Sequence, residues 1–365
     1  MKSFARSFAF ALLSGVFATW TFGQTPEMTA HFIDVGQANS TLLKFPCGTA
    51  LIDAGAEDDK YAERLIDYLD KNLEEKNGVK VIDVLFITHT HKDHNSVLKR
   101  IAERFEIKRY VDNGDVFGSG KPGAAAIRKA IKDGSIDTKL TEVREDDITG
   151  LRSRRGFWSR QIDPFKCSNC DPKIRVMSAS RDDVAEGWSH EDFDNENNHS
   201  LVIRVDFGES SFLFPGDLEE AGIASLLDYY KANPSELDVD VWEVDHHGAS
   251  NGTTPELVQG LSPAIAIISC GNMEYGKRSS NRWDAFGYGH PRADAVGVLE
   301  GPGGVATLRP SALDVDVADK SRSFRKVHIT KSIYSTAWDG TIVVRGFLDR
   351  DPVVEETLHE GPPTP

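Results

Sequence analysis

Cysteine is scarce in this chain. Four are spread over 365 residues (Cys47, Cys167, Cys170 and Cys270), and only Cys167 and Cys170 have Cys-x-x-Cys spacing. A structural zinc site built on such spacing needs a second pair, so these two read as a local disulfide or as free thiols. Long apolar runs are also lacking. Beyond the N-terminal segment none approaches the roughly 20 residues of a membrane-spanning helix, so the mature chain is expected to be soluble, with no stable membrane insertion. No fixed-period repeat occurs, which excludes solenoids and propellers. Positive charge is short as well: 42 Lys and Arg stand against 57 Asp and Glu, a formal net charge of −15. Such a surface repels polyanions at long range, so a nucleic-acid substrate would need a local basic track. Arg152, Arg154, Arg155, Arg160, Lys166, Lys173 and Arg175, with Phe157 and Trp158 interleaved, offer one. The competing reading is a solvated loop.

Lys2 and Arg6 precede an uncharged, largely apolar stretch from Ser7 to Phe22. That pattern reads as a signal peptide over residues 1–23, with a secreted or periplasmic mature protein. The remainder alternates strands and helices without a long linker. Thr29–Val35, Asn39–Phe45 and Ala50–Ile52 are expected strands, followed by an amphipathic helix from Lys60 to about Glu75 and a continuous apolar strand Val81–Thr88. Further on, Leu201–Phe207 and Ser211–Phe214 form a hairpin over Gly208-Glu209, then Val239–Val244, Ala264–Ser269, Val327–Ile333 and Gly340–Arg345 are strands. This order predicts one α/β domain over residues 29–347, with two sheets face to face and helices outside. Residues 151–198 look like an insertion and 348–365 like a flexible tail.

The chemistry concentrates in Thr88-His89-Thr90-His91-Lys92-Asp93-His94. Four potential ligands fall within six residues directly after a buried strand, where α/β folds place their sites. Alternation puts His89 and His91 on one side, while Asp93 and His94 begin a helix and can reach a second ion. Imidazole and carboxylate suit zinc, manganese or iron. His-x-His-x-Asp-His is the signature of the metallo-β-lactamase fold, and the chain resembles that superfamily. The resemblance implies an αββα sandwich of two mixed sheets and two divalent ions, zinc or manganese. By the same resemblance Asp53 in Ile52-Asp53-Ala54-Gly55 supports the site, and Asp217 in Phe214-Pro215-Gly216-Asp217 bridges the ions.

Asp245-His246-His247-Gly248 follows another apolar strand. Adjacent histidines point different ways, so one can bind metal while the other faces substrate. Spacing does not decide between them; our reading takes His246 as the ligand and His247 as catalytic. His199 lies where the superfamily often has a further ligand, although a hydrogen-bonding loop histidine is the competing reading. His290, in Tyr288-Gly289-His290-Pro291, is expected as a proton donor, substrate contact or late ligand. The predicted ligands are thus His89, His91, Asp93, His94, Asp217 and His246, the catalytic residues Asp93, His247 and His290, and the supporting residues Asp34, Asp53 and His199.

A narrower resemblance runs from about residue 30 to 346. Phe32-Ile33-Asp34-Val35-Gly36-Gln37, Asn198-His199-Ser200-Leu201-Val202, Pro215-Gly216-Asp217-Leu218-Glu219, His246-His247-Gly248-Ala249-Ser250, Tyr288-Gly289-His290-Pro291 and Trp338-Asp339-Gly340-Thr341-Ile342 look like the soluble hydrolase domain of the ComEC-type DNA-uptake proteins. The resemblance implies that Asp34 and Gln37 shape the site from the first hairpin; turn formation is the competing reading. A transmembrane channel has no counterpart here, so DNA transport is not implied. The expected reaction is hydrolysis of a phosphodiester or smaller phosphoester, nucleic acid among the candidates, because two dications turn water into a nucleophile at neutral pH. The alternatives are another ester class (phosphorylcholine ester, thioester, lactone or β-lactam) or a metal- or DNA-binding module without turnover. The oligomeric state is open.

Overall fold

The computed structural model describes residues 27–358, apart from 116, 152, 169 and 279–282. The expected signal segment, Arg152 and the last residues 359–365 lie outside the described residues.

Two mixed sheets form the frame. The first has eight strands in the order Val353–Leu358, Thr341–Phe347, Glu27–Phe32, Thr41–Phe45, Gly48–Ile52, Val84–Phe86, Arg109–Asp112 and Lys139–Glu142. Its first five strands pair antiparallel and its last ones parallel. The second sheet repeats that plan in six: Lys173–Ser178, Val202–Phe207 and Ser210–Phe214 antiparallel, then Val241–Glu243, Ile265–Ile268 and Ile333–Ser335 parallel.

Strand alternation explains the layering. Ile52, Val84 and Phe86 pack inward against Ile203, Phe212, Phe214 and Ile267 of the facing sheet. Leu51 and Leu85 point outward onto Tyr61, Leu65, Leu69 and Ile101 of the helices Asp59–Asn72 and Leu98–Arg104. On the far side Leu213, Trp242 and Ala266 meet Ile223, Leu226, Val258 and Val296 from the helices Glu220–Tyr230, Pro255–Leu261 and Ala293–Glu300. The layers are therefore helix, sheet, sheet, helix, as the resemblance implied.

Four local expectations change. The strand Val81–Thr88 breaks at Asp83 into Val79–Ile82 and Val84–Phe86, which belong to different sheets. The break is held by Asp83 Oδ2, which accepts from Thr49 N at 3.0 Å. The supposed insertion contributes an edge strand, Lys173–Ser178, whose Arg175 is buried between Asp206 and Glu236. The supposed tail begins with Val353–Leu358, paired on Thr341–Phe347. Finally, Leu308–Lys320 and Ser323–Lys331 make a long hairpin where only the last part had been expected as strand.

Glu243 is an acid inside this frame. It is 2% exposed, and its Oε1 accepts from Thr41 Oγ1 at 2.9 Å and Ser269 Oγ at 2.8 Å. Burial pushes its pKa up from 4.5 to about 7, against the pull of those hydroxyls. Between these values the folded chain keeps a proton that the unfolded chain has released, so stability falls as pH rises from about 4.5 to about 7. Glu243→Gln keeps a neutral acceptor and removes that loss. We expect it to raise stability by about 1–3 kcal/mol at pH 8 and by little near pH 4.5. Thermal unfolding at both pH values, in chelator, checks this; an equal effect at both would refute it.

Candidate metal centre

Every predicted ligand, and the supporting Asp53, follows the C-terminal end of a strand, on one rim of the sandwich. Asp53 follows Gly48–Ile52, His89 to His94 follow Val84–Phe86, Asp217 follows Ser210–Phe214, and the histidine pair follows Val241–Glu243. The His89–His94 turn is held to its neighbours by Ala54 N to His94 O (2.8 Å) and, from the loop before Thr41–Phe45, by Asn39 N to Asp93 O (2.9 Å). Gly55 permits this approach: a Cβ there would lie 1.6 Å from the Asp93 carbonyl oxygen.

Two donor groups result. Asp93, His94, Asp217 and His247 present ligand atoms within 4.8 Å of one another, as do His89, His91 and Asp217. Asp217 belongs to both. Its Oδ1 is 3.1 Å from His94 Nε2, and its Oδ2 is 3.6 Å from His247 Nε2 and 3.9 Å from His89 Nε2.

The surroundings orient the rings. Asp53, fully buried, accepts from Thr88 N (2.8 Å) and Thr88 Oγ1 (2.8 Å), and its Oδ2 is 2.7 Å from His94 Nδ1. His94 therefore turns Nε2 inward, as in carboxylate–histidine–metal arrangements. His247 Nδ1 donates to the Ser269 carbonyl at 2.6 Å, which leaves Nε2 inward, 3.4 Å from Asp93 Oδ2. Both Nε2 atoms are buried and face the carboxylates of Asp217 and Asp93. His89 Nε2 and His91 Nδ1 face each other at 3.1 Å. Inward lone pairs opposite buried carboxylates are the donor set of divalent ions, and two ions sharing Asp217 would satisfy them.

Electrostatics agrees with this donor set. Burial, then His94 and His91, depress His89 well below the ordinary histidine value, so it offers a lone pair. Burial opposes charge on His94 too, but Asp217 and Asp53 outweigh it and raise its pKa well above normal. Burial would push Asp217 up; His94 and His247 instead pull it well below the carboxylate range. A dication can take the place of the protons these pairs hold.

The structure sets the two adjacent histidines apart, and not as the sequence reading had them. His246 and His247 both have positive φ (49° and 54°), a left-handed turn that sends the rings to different sides. It is His247 that enters the donor group. His246 Nδ1 lies at the rim, 3.1 Å from Asn251 Oδ1 and 3.3 Å from Glu219 Oε1. His199 is in neither group. Its Nδ1 accepts from Arg181 N at 3.2 Å, its Nε2 donates to Phe193 O at 2.7 Å, and Phe117, Trp188 and Phe193 surround its ring. That is the hydrogen-bonding histidine of the competing reading.

His290 stands beside the centre, its ring 6.2 Å from His247 and 5.6 Å from His246. Burial, then those two histidines, hold its pKa well below normal. Asp34 pairs with Arg64 and shares with His290 a cavity of about 190 Å³. Sequence reasoning missed Thr88, Ser269 and Glu196, whose Oε2 is 3.5 Å from His91 Nε2. Thr88 adjoins the motif and could have been found; Ser269 acts through a carbonyl, which leaves no side-chain signal.

The described arginines of the basic track are taken up by partners within the chain. Arg155 faces Glu236 at 3.6 Å, Arg175 is buried between two acids, Arg154 lies over Tyr229, and Arg160 lies over Trp158.

The profile of the metallo-beta-lactamase superfamily matches residues 33–271. The chain belongs to that superfamily. It is 25% identical to ComE operon protein 3 of Bacillus subtilis (strain 168) over 289 residues, which cover 75% of this chain and 31% of that protein. Competence protein ComA of Neisseria gonorrhoeae is 32% identical over 122 residues, 32% of this chain and 17% of that one. The chain thus spans less than a third of these relatives. Among solved structures, the metallo-beta-lactamase fold protein YhfI from Bacillus subtilis aligns with a TM-score of 0.36 at 10% identity, covering 66% of this chain and 85% of that one. The ComEC-type resemblance and the superfamily fold both stand.

Proposed function

We propose that this superfamily hydrolase is an exported, two-ion enzyme, loaded with zinc or manganese, that cuts phosphodiesters. The observation that carries the reading is Asp217, shared by two donor groups. Two bound dications supply Lewis acidity and lower the pKa of water from 15.7 toward about 7. The chain's own part is orientation: Asp53 and the Ser269 carbonyl fix the rings of His94 and His247, and the His89–His91–Asp217 group, with three protein donors, leaves room for substrate.

The phosphodiester choice is supported by the similarity to competence proteins. The net charge of −15 and the internal pairing of the arginines favour small diesters or single-stranded ends over a groove-bound duplex. Export is supported by the charged-then-apolar N-terminus and by a Cys47–Cys167 disulfide.

The test is hydrolysis of bis(p-nitrophenyl) phosphate by the purified mature protein, with zinc or manganese and after chelation. Metal-dependent turnover is expected. Two ions per chain without turnover would discard the phosphodiester reading and redirect the search to thioesters, lactones and β-lactams.

A further inference from the structure

We propose that Gln37 is a positioning residue that locks one tautomer of His290, so that His290 meets a substrate oxygen as a neutral hydrogen-bond donor through Nε2–H. The role toward substrate rests on the hydrolase reading above; the tautomer does not.

Gln37 is 2% exposed and His290 8%. The Gln37 amide contacts two groups. Its Oε1 accepts from Gly271 N at 3.3 Å, and its Nε2 is 3.1 Å from His290 Nδ1. A backbone N–H can only donate, so the oxygen end must face Gly271. The reversed amide would set its NH₂ against that N–H. The NH₂ end therefore faces His290, and Nδ1 must accept. A neutral ring that accepts at Nδ1 carries its proton on Nε2.

The contact is built in on both sides. Gln37 N donates to Glu57 Oε2 at 2.8 Å. Gly271 permits this docking, since a Cβ there would lie 2.7 Å from Gln37 N and from Glu57 Oε2. The His290 ring stacks on Tyr288 (5.7 Å, 12°) and on His247 (6.2 Å, 25°). The loop that carries it is pinned by Arg292 N to Gly248 O (2.9 Å) and Ala318 N to Pro291 O (2.8 Å).

Three sequence-based roles for His290 were open, and this geometry separates them. With Nδ1 occupied and Nε2 protonated, the ring has no lone pair for an ion, so it is not a late ligand. As a neutral ring it donates a hydrogen bond and keeps its proton. A fixed donor aimed at oxygen charge that grows in the transition state contributes on the order of 10²–10³ in rate.

The test is long-range proton–nitrogen NMR of the ¹⁵N-labelled, zinc-loaded protein, with His290 assigned by comparison with His290→Phe. The wild type should show His290 protonated at Nε2 only. Gln37→Glu should place a proton on Nδ1, because a carboxylate accepts from both Gly271 and the ring. If Gln37→Glu does not fold, Gln37→Met, close in shape and without a donor, should lose the single tautomer. A wild-type ring protonated at Nδ1, or the same tautomer in wild type and variants, would overturn the proposal. With bis(p-nitrophenyl) phosphate, Gln37→Met should lower kcat about 10–100-fold, leaving KM and metal content unchanged. A change in KM alone, or loss of metal, also overturns it. If the wild type does not cut this diester, the phosphodiester reading fails, and the nitrogen spectra still decide the tautomer.

Discussion

Asp217→Ala is expected to bind at most one ion per chain and to lose at least about 10³-fold in turnover of the diester, the loss of several kcal/mol of transition-state stabilisation. His247→Ala should keep about one ion, and His246→Ala should keep two. The grading follows from the donor lists. Without Asp217 the His89–His91 group is left with two imidazoles, and the other group keeps Asp93, His94 and His247. Without His247 the second group has only Asp93 and His94 to itself, its third donor Asp217 being shared with the untouched first group, so the second ion is the one released. His246 touches neither group; its Nδ1 faces Asn251 and Glu219. Metal counting by mass spectrometry on folded variants reads this series directly. A protein that loses an ion with His246→Ala and keeps both with His247→Ala would reverse the assignment.

That reversal would be the sequence reading itself, and the reason it arose is instructive. After the strand Val84–Phe86 the chain bends at His89 and Thr90 and enters the helix Lys92–Asn95, so four donors that are close in sequence stay close in space, in two groups that share Asp217. At Asp245-His246-His247-Gly248 the backbone takes two consecutive left-handed residues, and strand alternation no longer says which ring points inward. Likewise His199 has its motif in place, but Arg181, Phe193 and Trp188 decide its role, and all three lie outside that motif.

The fold was legible for the same physical reason. Strands buried on both faces read as apolar runs, and the inner and outer sets of Val84, Leu85 and Phe86 sort by period two. The hairpin Leu308–Lys320 with Ser323–Lys331 was largely missed because charged residues interrupt its apolar pattern and half of its residues are exposed, Leu308 at 73%. Val315, Val317, Ala318 and Ile329 are its buried apolar residues. Lys173–Ser178 was hidden because Arg175 interrupts its apolar pattern, and the two acids that neutralise it come from distant segments.

Cysteine pairing was illegible in the strict sense, since it depends on tertiary contact. Cys167 bonds Cys47, 120 residues away, and Cys170 is free and buried. Removing the bridge with Cys47→Ser is expected to lower stability by about 2–5 kcal/mol, or about 3–7 °C in Tm for a chain of this size. The long loop puts the effect toward the upper end, because closing it removes much of the unfolded chain's freedom. The native contact holds Cys167 near Cys47 in any case: Phe45 and Phe165 pack with ring centroids 4.8 Å apart, so the reduced protein should fold and simply unfold sooner. Cys170→Ser is the control and should change Tm by less than about 1 °C. Equal losses in Cys170→Ser and Cys47→Ser, with a Cys167–Cys170 peptide in a non-reducing digest, would restore the local pairing that the sequence suggested. The bridge also bears on location. An oxidising compartment closes it and a reducing one keeps it open, so protein recovered from the periplasm or medium should carry the Cys47–Cys167 peptide, and the same chain made without residues 1–23 in the cytoplasm should show the lower Tm of Cys47→Ser.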